Sequence, residues 1–454
     1  MSIDDLRSKI DSYSQSHLIA QSELAGCSFN FNNQKIPEEF YSDFIQLARA
    51  QKIHQKFTAT YKGEVVNVTE SRSVTHFKYR MPSLSGKYED HQKKLFSISK
   101  KIREAGYEKV VFFGIGGSQL GPAFVGEALV DNFYDKACLI TGSDPDEFAD
   151  KLAGVNLDKS CFIVASKSFS TLETLNSFEK VTNKKFLSNT YAVTAEPTLA
   201  EDYGIHKDNI ISFDINVGGR FSIWSPISVL LSIFLGENAY REFLGGGHLA
   251  DLELLENEYE SLIFKLSCQD IFHNNILGNQ TSVLLNYDWK LRNFSRYAQQ
   301  LEMESNGKSV DLKGNESLVD TNPIIWGGYG PESQHSFYQL LYQGTKDFNI
   351  YLIAQKNAKK LNYMQFLGQK QSLVEGADQK LESYRQTKIR RLTSVVLNEI
   401  SPKSVGALMA IWENKTILNS LIWNINAFDQ WGVCLLYTSP SPRDQRGSRM
   451  PSSA

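Results

Sequence analysis

The chain is sparing with cysteine, has no strong excess of either charge, and lacks any long apolar run. Its five cysteines, Cys27, Cys138, Cys161, Cys268 and Cys434, are odd in number and widely scattered, with no C-x-x-C pair. That spacing argues against a disulfide framework and a zinc ribbon, and points to a reducing cytoplasm. No stretch approaches the roughly 18 uncharged apolar residues of a membrane-spanning helix, so no membrane partner is expected. Residues 1–10 carry Asp4, Asp5, Arg7 and Lys9 and lack the apolar centre of a secretory signal. The eight histidines do not cluster and no H-E-x-x-H occurs, so no metal is expected. Lys and Arg total 48 against 51 Asp and Glu, a net charge of −3. Nucleic-acid binders carry a basic stripe, and the best local candidate, 388–391, reads as a solvated helix face. No nucleic-acid partner is expected.

What is present suits a soluble enzyme of two domains. The 454 residues exceed one ordinary domain, and 41% apolar with 22% charged content is enough for two cores. Residues 1–60 read as an N-terminal helical and connective segment with a polar break at 29–37. Short apolar runs at 109–113, 137–140 and 161–165, each followed by a helical pattern as at 120–130, read as buried parallel strands. A second set follows: a strand at 282–286, a helix carrying Leu291, Phe294, Ala298 and Leu301 and stopping at Asn306-Gly307, and a strand at 349–354. The fold class is therefore α/β, with two doubly wound α/β/α sandwich domains, 61–236 and 237–433, and extra helices. Residues 434–454 are rich in Ser, Pro and Arg without periodicity; they are expected to be disordered or artefactual and do not enter the fold reading.

Two loops look built for an anion. Gly114-Ile-Gly-Gly-Ser-Gln-Leu-Gly121 follows a strand and opens a helix, so its amides can approach a negative group. A dinucleotide fingerprint needs glycine at 119, where Gln119 stands, which weakens a nicotinamide dehydrogenase reading. Ser166-Lys-Ser-Phe-Ser-Thr171 again lies at a strand's carboxyl end before a helix. A helix needs one cap, whereas four hydroxyls and a lysine suit a phosphate monoester, each charge-assisted hydrogen bond being worth about 1.5–3 kcal/mol. Gly307-Lys308-Ser309 is not a P-loop, since Glu302 occupies the required glycine position. With neither nucleotide nor metal machinery, chemistry falls to acid–base side chains. Gln300 and Glu304 share one helix face. Arg220 follows two glycines in Val217-Gly-Gly-Arg-Phe221, although a surface turn with a salt bridge would look the same. His335 follows Pro331 and is expected in a helix's first turn, where the positive helix end disfavours imidazolium. A lone histidine is more often structural.

Taken together, Gly114-Ile-Gly-Gly-Ser118, the 166–171 segment, Val217-Gly-Gly-Arg-Phe-Ser222, Met303-Glu-Ser-Asn-Gly-Lys308, Gln334-His-Ser-Phe-Tyr-Gln339 and Phe428-Asp-Gln-Trp-Gly-Val433 resemble the phosphoglucose isomerase family, in the family's order, over about 110–433. The resemblance implies two sugar-isomerase-type domains, a homodimer in the cytoplasm, and aldose–ketose isomerisation of a hexose 6-phosphate without a cofactor. It implies that Gly117, Ser118, Ser166, Lys167, Ser168, Phe169, Ser170 and Thr171 hold the sugar phosphate. Glu304 matches the base that moves a proton between C2 and C1, and Arg220 the cation beside the cis-enediolate. His335 matches a ring-opening residue that reaches the site from the partner subunit, and Gln300 and Gln430 match substrate-contacting glutamines. Two departures stand out. Gly330-Pro-Glu-Ser333 replaces a common Gly-Thr-Asn-Gly and reads as a tolerated loop variant. After Val433 the family's Glu-Leu-Gly-Lys, whose lysine helps ring opening, is replaced by Cys434, Leu435, Leu436 and Tyr437. A non-catalytic sugar-phosphate-binding module is the alternative reading if that replacement is genuine.

Overall fold

The structure, a computed structural model, describes residues 1–433 apart from 15, 19, 358 and 377–381. The tail for which disorder is expected, 434–454, lies outside the described residues. Two hairpins come first in the chain. β1 (Gln21–Leu24) and β2 (Cys27–Asn30) pair antiparallel around Ala25 and Gly26, both at positive φ. β3 (Val65–Asn67) and β4 (Arg72–Ser73) form a separate ribbon.

Five strands then build a wholly parallel sheet: β5 (Lys109–Phe113), β6 (Ala137–Ile140), β7 (Ser160–Ala165), β8 (Thr190–Thr194) and β9 (Ile210–Ser212). Their order is β6-β5-β7-β8-β9. Every residue of β6, β7 and β8 is buried, as expected when helices cover both faces. The second sheet has β10 (Thr281–Asn286), β11 (Ile324–Tyr329), β12 (Asn349–Gln355) and β13 (Leu392–Leu397) mutually parallel. Its order is β1-β2-β13-β12-β10-β11, because the N-terminal hairpin adds to β13 in antiparallel fashion. The α/β reading therefore holds, with one correction. Residues 1–60 are not only helical and connective: beside the helices Glu38–Ala50 and Ile53–Lys62 they supply two strands of the second sheet. Four-residue strands carry too little alternation to be read locally; pairing with β13 makes them strands.

Two long helices pack against each other. Val229–Asn257 is interrupted at Gly236, whose φ of +82° breaks the helical path. Pro402–Trp423 is buried on all sides over residues 404–420. The two helices cross at glycines: a Cβ on Gly246 would stand 2.0 Å from the Lys403 carbonyl oxygen, and one on Gly406 2.1 Å from that of Phe243. The buried helix carries charge inside. Lys415 Nζ lies 2.7 Å from Asp270 and 3.0 Å from Glu302, and Glu413 meets Arg80 at 2.6 Å. Glu302 sits on the helix Phe294–Asn306, so Lys415 ties that helix to the core. Among the described residues, no helix is long and apolar enough to cross a membrane. Cys27, Cys138, Cys161 and Cys268 are buried free thiols.

Candidate active site

From β5 the chain crosses through the helix Gly117–Leu129 to β6 on one side, then reaches β7 on the other. Strand order thus reverses between β5 and β7, and ligands of open α/β sheets sit outside the carboxyl ends of the strands at such a reversal. Both anion-suited loops leave from this point, each running into a helix N-terminus. Gly116 holds a φ of +57°, which a side chain would strain. Gly117 has no room for one: a Cβ there would lie 2.0 Å from the Gly219 carbonyl oxygen and 2.7 Å from the Arg220 nitrogen. Its missing side chain is what lets the first loop touch the segment bearing Arg220. Ser118 is half-buried one residue further on.

In the second loop the hydroxyls do not cap the helix Leu172–Thr182. Thr171 occupies the N-cap without a side-chain cap bond, and its Oγ1 lies 3.0 Å from Ser166 Oγ instead. Ser170 Oγ donates to Ser168 Oγ at 2.8 Å, and both serines are exposed. Phe169 adopts a φ of 47° and buries its ring, which meets Tyr203 edge-on. A bulky residue in this region costs on the order of 1–3 kcal/mol. Phe169 therefore anchors the loop with its ring and can offer a ligand only its backbone. Lys167 points toward a small cavity it shares with Asn67, Glu70, Arg72, Asn216 and Phe428. Burial, reinforced by the Arg72 charge, pulls its ammonium down to about 8.

The short 3₁₀ segment Gly219–Trp224 carries Arg220 inward rather than on a surface turn; the residue is only 3% exposed. Each nitrogen of its guanidinium donates to the protein, and four hydrogen bonds use four of its five N–H groups. Nε donates to Ser305 Oγ at 2.7 Å and a terminal nitrogen to Gln430 Oε1 at 2.9 Å. The other terminal nitrogen donates to the carbonyls of Ala427 and of Asp429, the latter at 3.0 Å. Burial pulls its pKa below the ordinary arginine value, while Glu304, Asp429 and Glu70 act in the opposite direction. A guanidinium nonetheless keeps its proton in proteins.

Glu304 lies in the last turn of the helix Phe294–Asn306, which buries Phe294, Tyr297, Ala298 and Leu301 and leaves Gln300 and Glu304 on a half-exposed face. Gln300 Nε2 donates to Glu304 Oε2 at 2.9 Å. The other carboxylate oxygen stands 3.7 Å from the Arg220 guanidinium, too far for a hydrogen bond. Among the described residues it accepts no hydrogen bond, and an acceptor beside a fixed cation suits taking a proton from carbon while charge develops on a neighbouring oxygen. Gln300 faces the first loop, since a Cβ on Gly116 would meet its Nε2 at 3.2 Å.

The structure thus brings Gly117, Arg220, Gln300, Glu304 and Gln430 together, with the 166–171 loop at the neighbouring strand end. His335 is bonded to none of these residues among the described ones. It is not in a first turn but is the C-cap residue of the five-residue helix Gly330–Gln334, exposed, with no side-chain hydrogen bond or ion pair among the described residues. Pro331 starts the helix as expected; the helix simply ends before the histidine. Ser305, Lys308 and the carbonyls of Ala427 and Asp429 also serve the site, though none stands out in the sequence as a candidate. Backbone acceptors leave no trace in residue type, although Ser305 and Lys308 lie within a motif already singled out. The β3–β4 hairpin, where Thr69 donates to the Asp429 carboxylate at 2.6 Å, does not stand out either. Among the described residues, no group of three or more His, Cys, Asp or Glu side chains is placed to hold a metal.

Known proteins that resemble this chain in sequence belong to one family. The phosphoglucose isomerase family profile matches residues 30–438, reaching further toward the N-terminus than the motifs alone. A glucose-6-phosphate isomerase from Acinetobacter baylyi is 31% identical over 90% of this chain and 84% of its own length. One from Stutzerimonas stutzeri shows the same identity and the same coverage of both chains. The crystal structure of a glucose-6-phosphate isomerase from Chlamydia trachomatis superimposes with a TM-score of 0.86 at 26% identity, covering 95% of this chain and 90% of that one. A chain that matches the family profile over residues 30–438 and its curated relatives over this span belongs to the phosphoglucose isomerase family.

Proposed function

We infer that this chain is an enzyme that interconverts glucose 6-phosphate and fructose 6-phosphate through a cis-enediolate, the aldose–ketose step shared by glycolysis and gluconeogenesis. The phosphate dianion sits on the loops at 114–118 and 166–171, held by amides at two helix N-termini, by Ser and Thr hydroxyls and by Lys167. Glu304 takes the C2 proton and returns it to C1, and Arg220 stabilises the negative charge that grows on the enediolate oxygen. Gln300 and Gln430 orient the base and the cation respectively. His335 serves ring opening from the partner subunit of a homodimer, which accounts for its exposure here. The division into 61–236 and 237–433 assigns the phosphate loops to one lobe and the base to the other.

The observation that carries this reading is a carboxylate with one oxygen 3.7 Å from a buried guanidinium, beside two anion loops. Glu304→Gln tests it. Turnover should fall about 10²–10⁴-fold in a coupled assay for glucose 6-phosphate, with hexose-phosphate affinity nearly intact; turnover close to the parent would remove Glu304 from the base role. The replacement of the family's Glu-Leu-Gly-Lys at 434–437 makes ring opening the step most open to change. It also motivates the non-catalytic alternative, which sugar-phosphate binding with no turnover by the parent chain would favour.

A further inference from the structure

We propose that Lys308 is the positioning residue that sets the spacing between the base and the enediolate-stabilising cation. The proposal rests on the isomerase reading above and deepens it. Glu304 and Arg220 are not hydrogen-bonded to each other; at 3.7 Å their spacing is set by what each is fastened to. Lys308 is fastened to both attachments.

Its ammonium sits among five oxygens. On one side are the carbonyls of Glu304, at 3.4 Å, and Ser305, at 3.0 Å, in the last turn of the base-bearing helix. The last carbonyls of a helix have no intrahelical partner, and a lysine there satisfies them while complementing the negative helix end. On the other side are the carbonyls of Asn426, at 3.0 Å, and Asp429, at 2.9 Å, and the Asp429 carboxylate at 3.0 Å. These belong to the loop that grips Arg220. The Asp429 carbonyl accepts from both cations, from Lys308 at 2.9 Å and from Arg220 at 3.0 Å. Two positive groups on one oxygen repel, and the Asp429 carboxylate offsets this. That carboxylate is itself pinned by Thr69 at 2.6 Å and Asn426 at 2.9 Å. Arg220 closes the circuit through Ser305 Oγ, on the same helix end.

Lys308 therefore joins the helix end that presents Glu304 to the loop that presents Arg220. Its ammonium is spent on protein oxygens, so it positions and does not touch substrate. The phosphate loops leave from β5 and β7 and share none of these bonds. Loss of the ammonium should thus misplace the reacting pair while leaving the phosphate grip in place, and displacements of about 1 Å cost on the order of 100-fold in rate.

The full chain with Lys308→Met is compared with the parent for kcat and KM on both hexose phosphates. The expected result is a kcat about 100-fold lower with KM within about twofold, and recovery of at least tenfold of that loss in Lys308→Arg. A kcat within twofold of the parent, a raised KM at unchanged kcat, or no recovery in Lys308→Arg would each overturn it. Should Lys308→Met not fold, Lys308→Gln is judged by the same split. Amide hydrogen exchange provides a readout without turnover: exchange should quicken at 305–308 and 426–431 and stay unchanged at 166–171, and unchanged exchange at the first two segments overturns the proposal. A parent chain with no turnover would sink the isomerase reading alone, and the exchange measurement would still judge Lys308.

Discussion

Lys167 shows how burial sets the working range of a single residue. Burial pulls its ammonium down to about 8, and the Arg72 charge adds to this. Below that pH it is a cation and above it is neutral, so its grip on a phosphate dianion weakens as pH rises through about 8. Bound dianion favours the cation and raises the pKa, so kcat/KM, which reports the free enzyme, should break at lower pH than kcat. We expect this alkaline break in kcat/KM to vanish in Lys167→Gln; a break that persists would assign it to another group. The same shift acts on stability. Between about 8 and the ordinary lysine value the unfolded chain binds more protons than the folded one, so Lys167 makes stability rise with pH across that window. Residue identity made the hydroxyls, Lys167 and Glu304 legible, because a phosphate and a carbon acid each demand particular side chains. It could not show that Phe169 turns its ring into the core, which depends on Tyr203 waiting there.

Secondary-structure elements divide by how they are buried. Strands β5, β6 and β7 were readable because strands covered on both faces are apolar throughout. The helix Phe294–Asn306 was readable from its one-sided stripe and its Asn-Gly stop, although Leu291 falls in the separate 3₁₀ turn Trp289–Leu291 before it. Pro402–Trp423 was not, because a helix buried all round shows no amphipathic period and this one hides Glu413, Asn414 and Lys415 inside. Those buried charges make a prediction at this scale. Lys415 stands between Asp270 and Glu302, with Tyr351 and Asn349 also donating to Asp270 at 2.6 and 2.9 Å and Trp412 to Glu302 at 2.9 Å. Burial pushes Glu302 up to about 7 despite the lysine. Lys415→Met leaves two buried carboxylates without their cation and should cost about 3–5 kcal/mol, read as a lowered urea midpoint. A midpoint at the parent value would mean that the carboxylates share a proton and need no ammonium.

For the whole molecule, the central question is how an exposed His335, with no side-chain bond to the site residues among the described ones, serves the site. In the proposed homodimer the histidine of one subunit completes the site of the other. Glu304→Gln and His335→Ala are each expected to be nearly inactive. Refolded together in equal amounts, they should recover about a quarter of the parent turnover, since half of the dimers are mixed and each mixed dimer keeps one intact site. Recovery no greater than the sum of the two variants would place His335 in its own subunit's site or outside catalysis. The parallel sheets, the anion loops at strand ends and the acid–base residues followed from local chemistry, because strand burial, helix stops and phosphate ligands each impose a pattern within a few neighbouring residues. The addition of β1 and β2 to β13, the fit of Gly117 against Gly219, and the fastening of Arg220 and Lys308 to one carbonyl of Asp429 were decided only by tertiary packing. Each of these contacts ends on a backbone group far away along the chain, and a backbone carbonyl is the same in every residue.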